Sequence, residues 1–153
     1  MDSQEFAERI VALTQTLYRV AYAQLPQKSD REDAVQEALR RAWEKRRQLK
    51  HPEYLQAWVI RILLNVCHDM QKKRSLPGAA YRPPERGEEP DLKEALWALE
   101  EKYRVPILLH YIEGYTVAEV AGILRLPQGT VKTRLRAGRE RLKAMLREEV
   151  FGE

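Results

Sequence analysis

The residues best suited to binding chemistry lie at positions 129–143, in the stretch GTVKTRLRAGRERLK. This stretch holds six lysines or arginines and a single acid, Glu140. Clustered cations favour a partner that carries phosphates. A solvated surface helix, the usual explanation for a run of charge, would instead place acids four residues from bases. The composition therefore indicates a contact with nucleic acid.

The same stretch separates into faces when it is drawn as a helix with about 100° per residue. One face is an apolar stripe of Val131, Leu135, Gly138, Leu142 and Met145. One flank carries Lys132, Arg136, Arg139 and Lys143, and the other flank carries Arg134 and Arg141. We expect the stripe to face the core, and the two basic rows suit the two phosphate backbones of a duplex.

The preceding residues complete a helix-turn-helix. TVAE matches a capping box and predicts a helix over residues 116–124. The small residues Ala118, Ala121 and Gly122 would let this helix pack closely on the next, which Pro127 can start. In a helix-turn-helix the second helix enters the major groove, with its N-terminal residues against the bases.

The whole chain is predicted to be all-α, with two small helical domains. Of its 153 residues 44% are hydrophobic, and it has only seven glycines and eight prolines, which favours helices around a core. Residues 75–91 contain four prolines and two glycines without an apolar period, as a flexible linker does. We therefore expect domains at residues 1–74 and 92–153, joined by this linker.

In the first domain, an apolar stripe predicts one helix that Pro26 ends. SDRE at positions 29–32 predicts a capping box with Ser29 as the N-cap, and that helix should run to about Lys45. A further helix follows Pro52 and is either continuous or bent.

In the second domain, amphipathic spacing predicts a helix over residues 92–103. Another is expected over residues 105–113, with Pro106 in its first turn, where proline is tolerated, and Gly114 as its stop. With the helix-turn-helix, the second domain would have four short helices.

Several other classes of protein are disfavoured. The three histidines are scattered and Cys67 is the only cysteine, so we expect no metal site, disulfide or cofactor. No carboxylate pair, nucleophile–base set or phosphate-binding glycine loop is present, which makes an enzyme the weakest hypothesis. The N-terminus lacks a signal-peptide pattern, and no apolar run reaches the roughly 18 residues of a membrane span. We therefore expect a cytoplasmic protein without membrane insertion.

Two blocks of sequence resemble bacterial RNA polymerase sigma factors. AEVAGILRLPQGTVKTRLRAGRERL, with ALEEKYRVPILLHYIEGYT before it, resembles region 4 of that family. DREDAVQEALRRAW resembles region 2.2, and YLQAWVIRILLNVCHDMQKKR resembles regions 2.3 and 2.4. Because nothing corresponds to regions 1.1 or 3, the chain resembles the extracytoplasmic-function (ECF, group 4) subfamily.

The resemblance implies contacts with core RNA polymerase and with both promoter elements. Contacts with the polymerase β′ clamp helices would involve Asp33, Gln36, Glu37, Arg40 and Arg41, and the β subunit of core polymerase is a further expected partner. Contacts with the −10 element would involve Tyr54, Trp58, Arg61, Asn65, His68, Lys72, Lys73 and Arg74. Contacts with the −35 element would involve Gln128, Gly129, Thr130, Lys132, Thr133, Arg136 and Arg139. Many relatives are held inactive by an anti-sigma factor, so such a partner is expected as well.

Within the −10 set, the residue types suggest separate roles. Bases that leave the stack need aromatic and amide groups, and the basic residues after position 71 would hold phosphates. Trp58 lies beside the apolar stripe and is either mainly core or a stacking residue. Asn65 is the better candidate for a base contact, because an amide gains little from burial without a partner.

Three positions depart from the family pattern. Arg125 stands at the usual turn glycine, where a positive φ would cost about 1 kcal/mol. Ala137 stands where arginine is common, which removes one expected DNA contact. Gly138 replaces the usual alanine, at a cost of roughly 1 kcal/mol in a helix interior.

A plain helix-turn-helix regulator is the alternative function. Such a protein would bind duplex DNA without being a polymerase subunit, and residues 1–74 would sense a signal or mediate self-association. The two functions differ in whether the chain stimulates initiation by core polymerase.

Overall fold

The computed structural model describes residues 1–73 and 92–150, with side chains for residues 1–73 and 93–146. The predicted linker at residues 75–91 lies outside the described residues, as does Arg74. Every regular element among the described residues is helical, which confirms the all-α prediction. The chain divides into two compact units, Met1–Pro77 (unit 1) and Gly78–Glu153 (unit 2).

Unit 1 is built from four helices around an aliphatic core. They are α1 (Ser3–Ala12), α2 (Thr14–Tyr22), α3 (Lys28–Glu44) and α4 (Leu55–Lys73). Two short 3-10 turns, Arg46–Gln48 and Pro52–Tyr54, lie between α3 and α4. α3 packs along α4, and α2 packs against both. α4 is one continuous helix, without the bend that the sequence left open.

The single helix expected before Pro26 is in fact two helices that meet at Leu13. The Leu13 amide donates to the Ile10 carbonyl at 3.1 Å, and the Thr14 hydroxyl donates to the Val11 carbonyl at 2.6 Å. A hydroxyl that bonds a nearby carbonyl competes with continuation of the helix. Buried apolar residues lie on both sides of the break, so the apolar spacing gave no sign of it.

α3 begins before the predicted capping box, so Ser29 is not its N-cap. Gln27 holds that position and makes no side-chain capping hydrogen bond. The turn before α3 is instead held by Arg31, whose NH1 donates to the carbonyls of Leu25 at 3.1 Å and Pro26 at 2.9 Å. A long side chain inside the helix therefore replaces the expected serine cap.

The described residues of unit 2 form four helices and one π-helical turn. They are α5 (Leu92–Ala98), α6 (Glu101–Ile107), the π turn (Leu108–Ile112), α7 (Val117–Leu124) and α8 (Gln128–Val150). α8 packs against α5, α6 and α7. The boundaries predicted at residues 92–103 and 105–113 are wrong, since Pro106 lies inside α6 and not in a first turn. Gly114 has φ of 80° and follows the π turn, as expected of a stop.

The break between α5 and α6 is held by Arg104, which is 1% exposed. Its NH1 donates to the carbonyls of Leu99 at 2.8 Å and Trp97 at 3.4 Å, and its guanidinium lies 4.4 Å from the Trp97 ring centroid. Carbonyls at a helix end have no partner within the helix, so a buried donor stabilises an end there. Leu96 and Leu99 are both buried, so the apolar spacing runs through the break and predicts one helix.

The segment from α7 to α8 confirms the predicted helix-turn-helix. The Thr116 amide donates to the Glu119 carboxylate at 3.0 Å, and the Glu119 amide donates to the Thr116 hydroxyl at 3.1 Å, which is the expected capping box. Arg125 follows α7 with φ of 55°, a left-handed conformation that costs about 1 kcal/mol. The Leu126 amide then donates to the Ala121 carbonyl at 3.0 Å and closes the turn.

Close packing of helices in unit 2 involves Ala121 of α7, which is buried as predicted, and Gly138 of α8. Gly122 and Ala118 are exposed, against the prediction, and a Cβ on Gly122 would meet no atom within 4 Å. A Cβ on Gly138 would lie 2.9 Å from Cδ1 of Ile107 and 3.2 Å from Cβ of Tyr103. α8 therefore lies closer to α6 than an alanine would allow without movement.

Replacement of these two glycines by alanine should have opposite effects. Gly122→Ala should raise the free energy of unfolding by about 1 kcal/mol, because alanine favours helix and the site is open. Gly138→Ala should lower it by about 1 kcal/mol, because overpacking against α6 outweighs the same gain. Urea denaturation of the full chain, followed by circular dichroism, measures both. Equal stabilisation by the two substitutions would contradict the close packing of α6 on α8.

Candidate nucleic-acid interface

The outward face of α8 is basic, while its inward face is buried. Val131 is 0% exposed, Leu135 is 6% exposed and Gly138 is buried, which confirms the start of the predicted stripe. The predicted −35 residues that are exposed are Gln128, Gly129, Lys132, Thr133, Arg136 and Arg139. Thr130 is half-buried. The first three turns of α8 thus present polar and basic groups to solvent.

Two of these side chains are oriented by neighbours on α8 itself. Nε of Arg136 lies 3.6 Å from Oε1 of Glu140, one turn further along. The Thr133 hydroxyl donates to the Gly129 carbonyl at 2.9 Å. Thr133 therefore offers a ligand its methyl group and oxygen lone pairs, and a thymine methyl group is one surface that a threonine methyl can contact.

Arg139 is oriented by a residue outside α8. Its NH1 donates to the Tyr111 hydroxyl at 3.0 Å, and Tyr111 lies on the π turn. The sequence gives no sign of Tyr111 as a partner of Arg139, because a separation of 28 residues leaves no local spacing signal. Lys132 has no hydrogen bond or ion pair with the described residues, so no neighbouring group orients its ammonium.

The second basic row of α8 includes an arginine that contacts residues at the start of α6. The guanidinium of Arg141 lies 4.3 Å from the ring centroid of Tyr103, and its NH1 lies 3.5 Å from Oε1 of Glu100. Arg134, the other member of that row, is half-buried. The two basic rows therefore differ: all four cations of the row that begins at Lys132 are exposed.

The predicted −10 residues follow one side of α4 and the 3-10 turn before it. The exposed members are Tyr54, Asn65, His68, Lys72 and Lys73, and the half-buried members are Trp58 and Arg61. The Asn65 side chain has no hydrogen bond with the described residues, so its amide is available to a base. Tyr54 precedes α4 and is 61% exposed, with its ring edge-on to His51 at 6.0 Å.

Trp58 is partly a core residue and partly a surface residue. Its ring is edge-on to Phe6, with centroids 6.2 Å apart, and it is half-buried. Phe6 also lies 6.2 Å from the ring of Trp43, which is 38% exposed and has the Arg46 guanidinium 4.0 Å from its centroid. An exposed ring with a cation on its face can stack a base. Trp43 is thus a further candidate for this surface, and the Trp–Arg spacing of three residues is a signal for it in the sequence.

Comparison with known proteins matches both units to one family. The family described as "Sigma-70 region 2" matches residues 10–76, and that described as "Sigma-70, region 4" matches residues 91–142. The chain is 27% identical to the ECF RNA polymerase sigma factor SigW of Bacillus subtilis, over 96% of this chain and 91% of that one. It is 28% identical to the RNA polymerase sigma factor SigV of the same species, over 88% and 87%. The chain belongs to the sigma-70 family, in its ECF group.

Solved structures of sigma factors share the fold. The sigma factor RpoE from Bartonella quintana, in complex with the anti-sigma factor NepR, matches with a TM-score of 0.81 and 26% identity. That match covers 94% of this chain and 98% of the other. These findings confirm the predicted function, promoter-directed initiation of transcription as a sigma factor.

The sigma residues predicted to contact core polymerase lie on α3, and three of them form one charged network. Arg40 binds both carboxylate oxygens of Glu37, through NH2 and through Nε at 3.0 Å, and Arg41 binds Glu37 through Nε at 3.0 Å. Arg40 also donates to Glu44 at 2.5 Å. NH1 of Arg41 reaches Asp69 on α4 at 3.4 Å, which ties the network to the neighbouring helix.

The hydrogen bond from Arg40 dominates the titration of this network. With the further bond from Arg41, it lowers the pKa of Glu37 from 4.5 to about 2. The same bond to Glu37 raises the pKa of Arg40 above its ordinary value. Asp33 and Gln36, the other two predicted polymerase contacts, are exposed on the same helix. At neutral pH Glu37 and Arg40 therefore present oriented, ionised groups on α3.

No helix in residues 1–73 or 92–150 of this sigma factor is both long and apolar enough to cross a membrane. Over the same residues, no group of three His, Cys, Asp or Glu side chains is arranged to hold a metal ion.

Glu37→Gln should destabilise the protein at neutral pH but not in strong acid. A carboxylate with a lowered folded-state pKa stabilises the fold above its ordinary pKa, and this contribution is lost as pH falls from about 4.5 towards about 2. We expect a loss of at most about 1 kcal/mol at pH 7, because the pair is partly exposed. Urea denaturation at a series of pH values measures the difference from the wild type.

Glu8→Gln on α1 is the matched control for this change. Its carboxylate accepts from Gln4 at 3.4 Å instead of from arginines, so its removal should change stability less at pH 7. A Glu37→Gln deficit that stays constant down to pH 2 would contradict the role of the charged network.

Proposed function

We propose that the two units divide promoter recognition, with α8 reading the −35 element as a duplex and α4 reading the −10 element as a single strand. Unit 1 would correspond to region 2 at residues 1–74 and unit 2 to region 4 at residues 92–153, joined by a linker at residues 75–91. The observation that carries this proposal is the exposed basic row of α8 in a helix-turn-helix, on a chain whose other unit matches region 2.

The proposed −35 contacts follow position along α8. Residues 128–130 form the first turn, where backbone amides without helical partners attract a phosphate. Lys132, Thr133 and Arg136 come next and would reach base edges in the major groove. Arginine can bind guanine O6 and N7 through two hydrogen bonds, so Arg136 is the principal specificity residue in this proposal. Arg139, further along, would contact a phosphate.

The proposed −10 contacts require bases that have left the stack. The free amide of Asn65 would bind the edge of one base, and the exposed part of Trp58 would stack on another. Trp43 and its loop, with the cations Arg46 and Arg47, extend this surface beyond α4. Phosphates would lie against Lys72 and Lys73 at the end of α4 and against Arg74, while Tyr54, Arg61 and His68 would line the path of the unstacked bases.

Core polymerase would bind the charged face of α3 through its β′ clamp helices, and unit 2 through its β subunit. The network around Glu37 holds two guanidiniums in fixed positions, which lowers the entropy cost of docking. Polymerase performs the bond-forming chemistry, so the chain itself would catalyse no covalent reaction and would act in the cytoplasm. An anti-sigma factor is also proposed, because the Bartonella quintana relative is in complex with one.

Run-off transcription with purified core RNA polymerase tests the proposal. The chain should enable core enzyme to initiate at a defined set of sites, and sequencing of the transcript starts should show shared −35 and −10 elements. Duplex DNA binding by the folded chain without any stimulation of core enzyme would sink the proposal in favour of a plain helix-turn-helix regulator.

Arg136→Ala and Asn65→Ala should impair different steps of initiation. Arg136→Ala should weaken the closed promoter complex by roughly tenfold and relax preference at one −35 position, because a two-bond base contact is worth about 1–3 kcal/mol. Asn65→Ala should leave closed-complex affinity unchanged and slow strand opening. Filter binding at low temperature measures the first step, and permanganate reactivity of unpaired thymines measures the second.

Lys102→Ala is the control for loss of charge, since it removes a cation from α6 instead of α8. It should leave both steps within about twofold of the wild type, as expected for a screened surface charge. Equal defects at both steps in Arg136→Ala and Asn65→Ala would indicate a folding defect, whereas wild-type behaviour of both variants at both steps would show that the assigned faces are wrong.

A further inference from the structure

The contact between Tyr111 and Arg139 joins the π turn to the exposed row of α8. The Tyr111 hydroxyl accepts from NH1 of Arg139 at 3.0 Å, and both side chains lie at the surface. Tyr111 is 50% exposed, so burial of its ring does not explain its position. Tyr111 therefore contacts Arg139 through its hydroxyl and contributes little to the core.

Tyr111 is itself held firmly by the residues around it. The His110 ring lies edge-on to the Tyr111 ring, with centroids 4.8 Å apart. Nδ1 of His110 donates to the Tyr115 carbonyl at 2.6 Å, since a carbonyl can only accept. The Glu113 amide donates to the Leu108 carbonyl at 3.0 Å, which closes the π turn. The hydroxyl is thus presented from a braced turn just before the capping box of α7.

A neutral hydroxyl can orient an arginine on a phosphate-binding face without cancelling the charge of that arginine. A carboxylate would orient the guanidinium but cancel its charge, as Glu140 partly does for Arg136 at 3.6 Å. The Tyr111 hydroxyl fixes one N–H of Arg139 and leaves the full positive charge and the remaining N–H donors for a ligand. Lys143, on the same row, has no hydrogen bond or ion pair with the described residues.

We infer that Tyr111 is a positioning residue for DNA binding, which holds the Arg139 guanidinium in the orientation that contacts a backbone phosphate. The inference rests on the proposed contact of α8 with duplex DNA. Arginine loses rotamer freedom when it binds a phosphate, and a side chain already held in place loses less. Tyr111 would therefore raise affinity for DNA of any sequence, without a base contact of its own.

A double-mutant cycle on the full chain tests this inference with a short mixed-sequence DNA duplex, because phosphate contacts do not require a known promoter. Tyr111→Phe should lower affinity about two- to tenfold, the effect of one lost hydrogen bond. In an Arg139→Ala background the same change should have no further effect. In a Lys143→Ala background the two losses should multiply, because Lys143 has no bond to Tyr111.

The salt dependence of binding separates positioning from a general structural effect. Arg139→Ala should reduce the slope of log affinity against log salt by about one phosphate contact. Tyr111→Phe leaves the charge of the protein unchanged, so a reduced slope in that variant reports a lost Arg139 contact. Its midpoint of thermal unfolding should match the wild type, since the ring is retained.

Three results would overturn the inference. The first is that the wild-type chain does not bind the duplex at low salt. The second is that Tyr111→Phe binds with the affinity and salt slope of the wild type. The third is that Tyr111→Phe lowers affinity as much in the Arg139→Ala background as in the wild type. Run-off transcription with core polymerase decides the proposed function separately. A chain that stimulates initiation but shows no coupling between the two residues refutes the positioning role alone, and coupling without initiation refutes the sigma mechanism alone.

Discussion

The close contact of α8 with α6 at Gly138 is the constraint on which the binding face depends. α8 is anchored by a narrow stripe, in which Val131 and Leu135 are buried. A Cβ added at Gly138 would lie 2.9 Å from Cδ1 of Ile107 and 3.2 Å from Cβ of Tyr103, both on α6. A narrow stripe leaves most of the helix circumference in solvent. The rotation of α8 about its axis is then fixed by a steric contact, and that rotation decides which cations face a ligand.

The position of α6 depends in turn on Arg104. Its guanidinium satisfies carbonyls at the end of α5, which permits a sharp break where the apolar spacing alone would continue the helix. At the other end of the unit, the capping box of Thr116 and Glu119 fixes the start of α7, and Arg125 accepts a left-handed conformation to make the turn into α8. Polar contacts therefore set the angles at which consecutive helices of unit 2 meet, and apolar contacts between the helices maintain those angles.

The structural features that depend on local spacing could be predicted from the sequence. The capping box at Thr116, the stop at Gly114 and the buried stripe from Val131 all involve residues within a few turns of one another. The breaks at Leu13 and Leu99 could not be predicted, because the apolar period continues through them while hydrogen bonds from Thr14 and Arg104 end the helices. From the sequence, Gly138 is only a residue of low helix propensity, because the sequence does not show that the Ile107 side chain lies beside it. Such contacts between distant residues leave no period in the sequence.

The two units hold their arginines in different ways, and the difference matches the partners assigned to them. On α3, Arg40 and Arg41 are bound to Glu37, so the face carries oriented groups with little net charge. Such a face suits a protein surface, where specific hydrogen bonds matter more than long-range attraction. On α8, Arg136 and Arg141 also have acidic neighbours. Lys132 and Arg139, however, have no acidic partner among the described residues, and Arg139 is oriented by a neutral hydroxyl. Its charge stays uncompensated, as phosphate binding requires, while its orientation is already restricted.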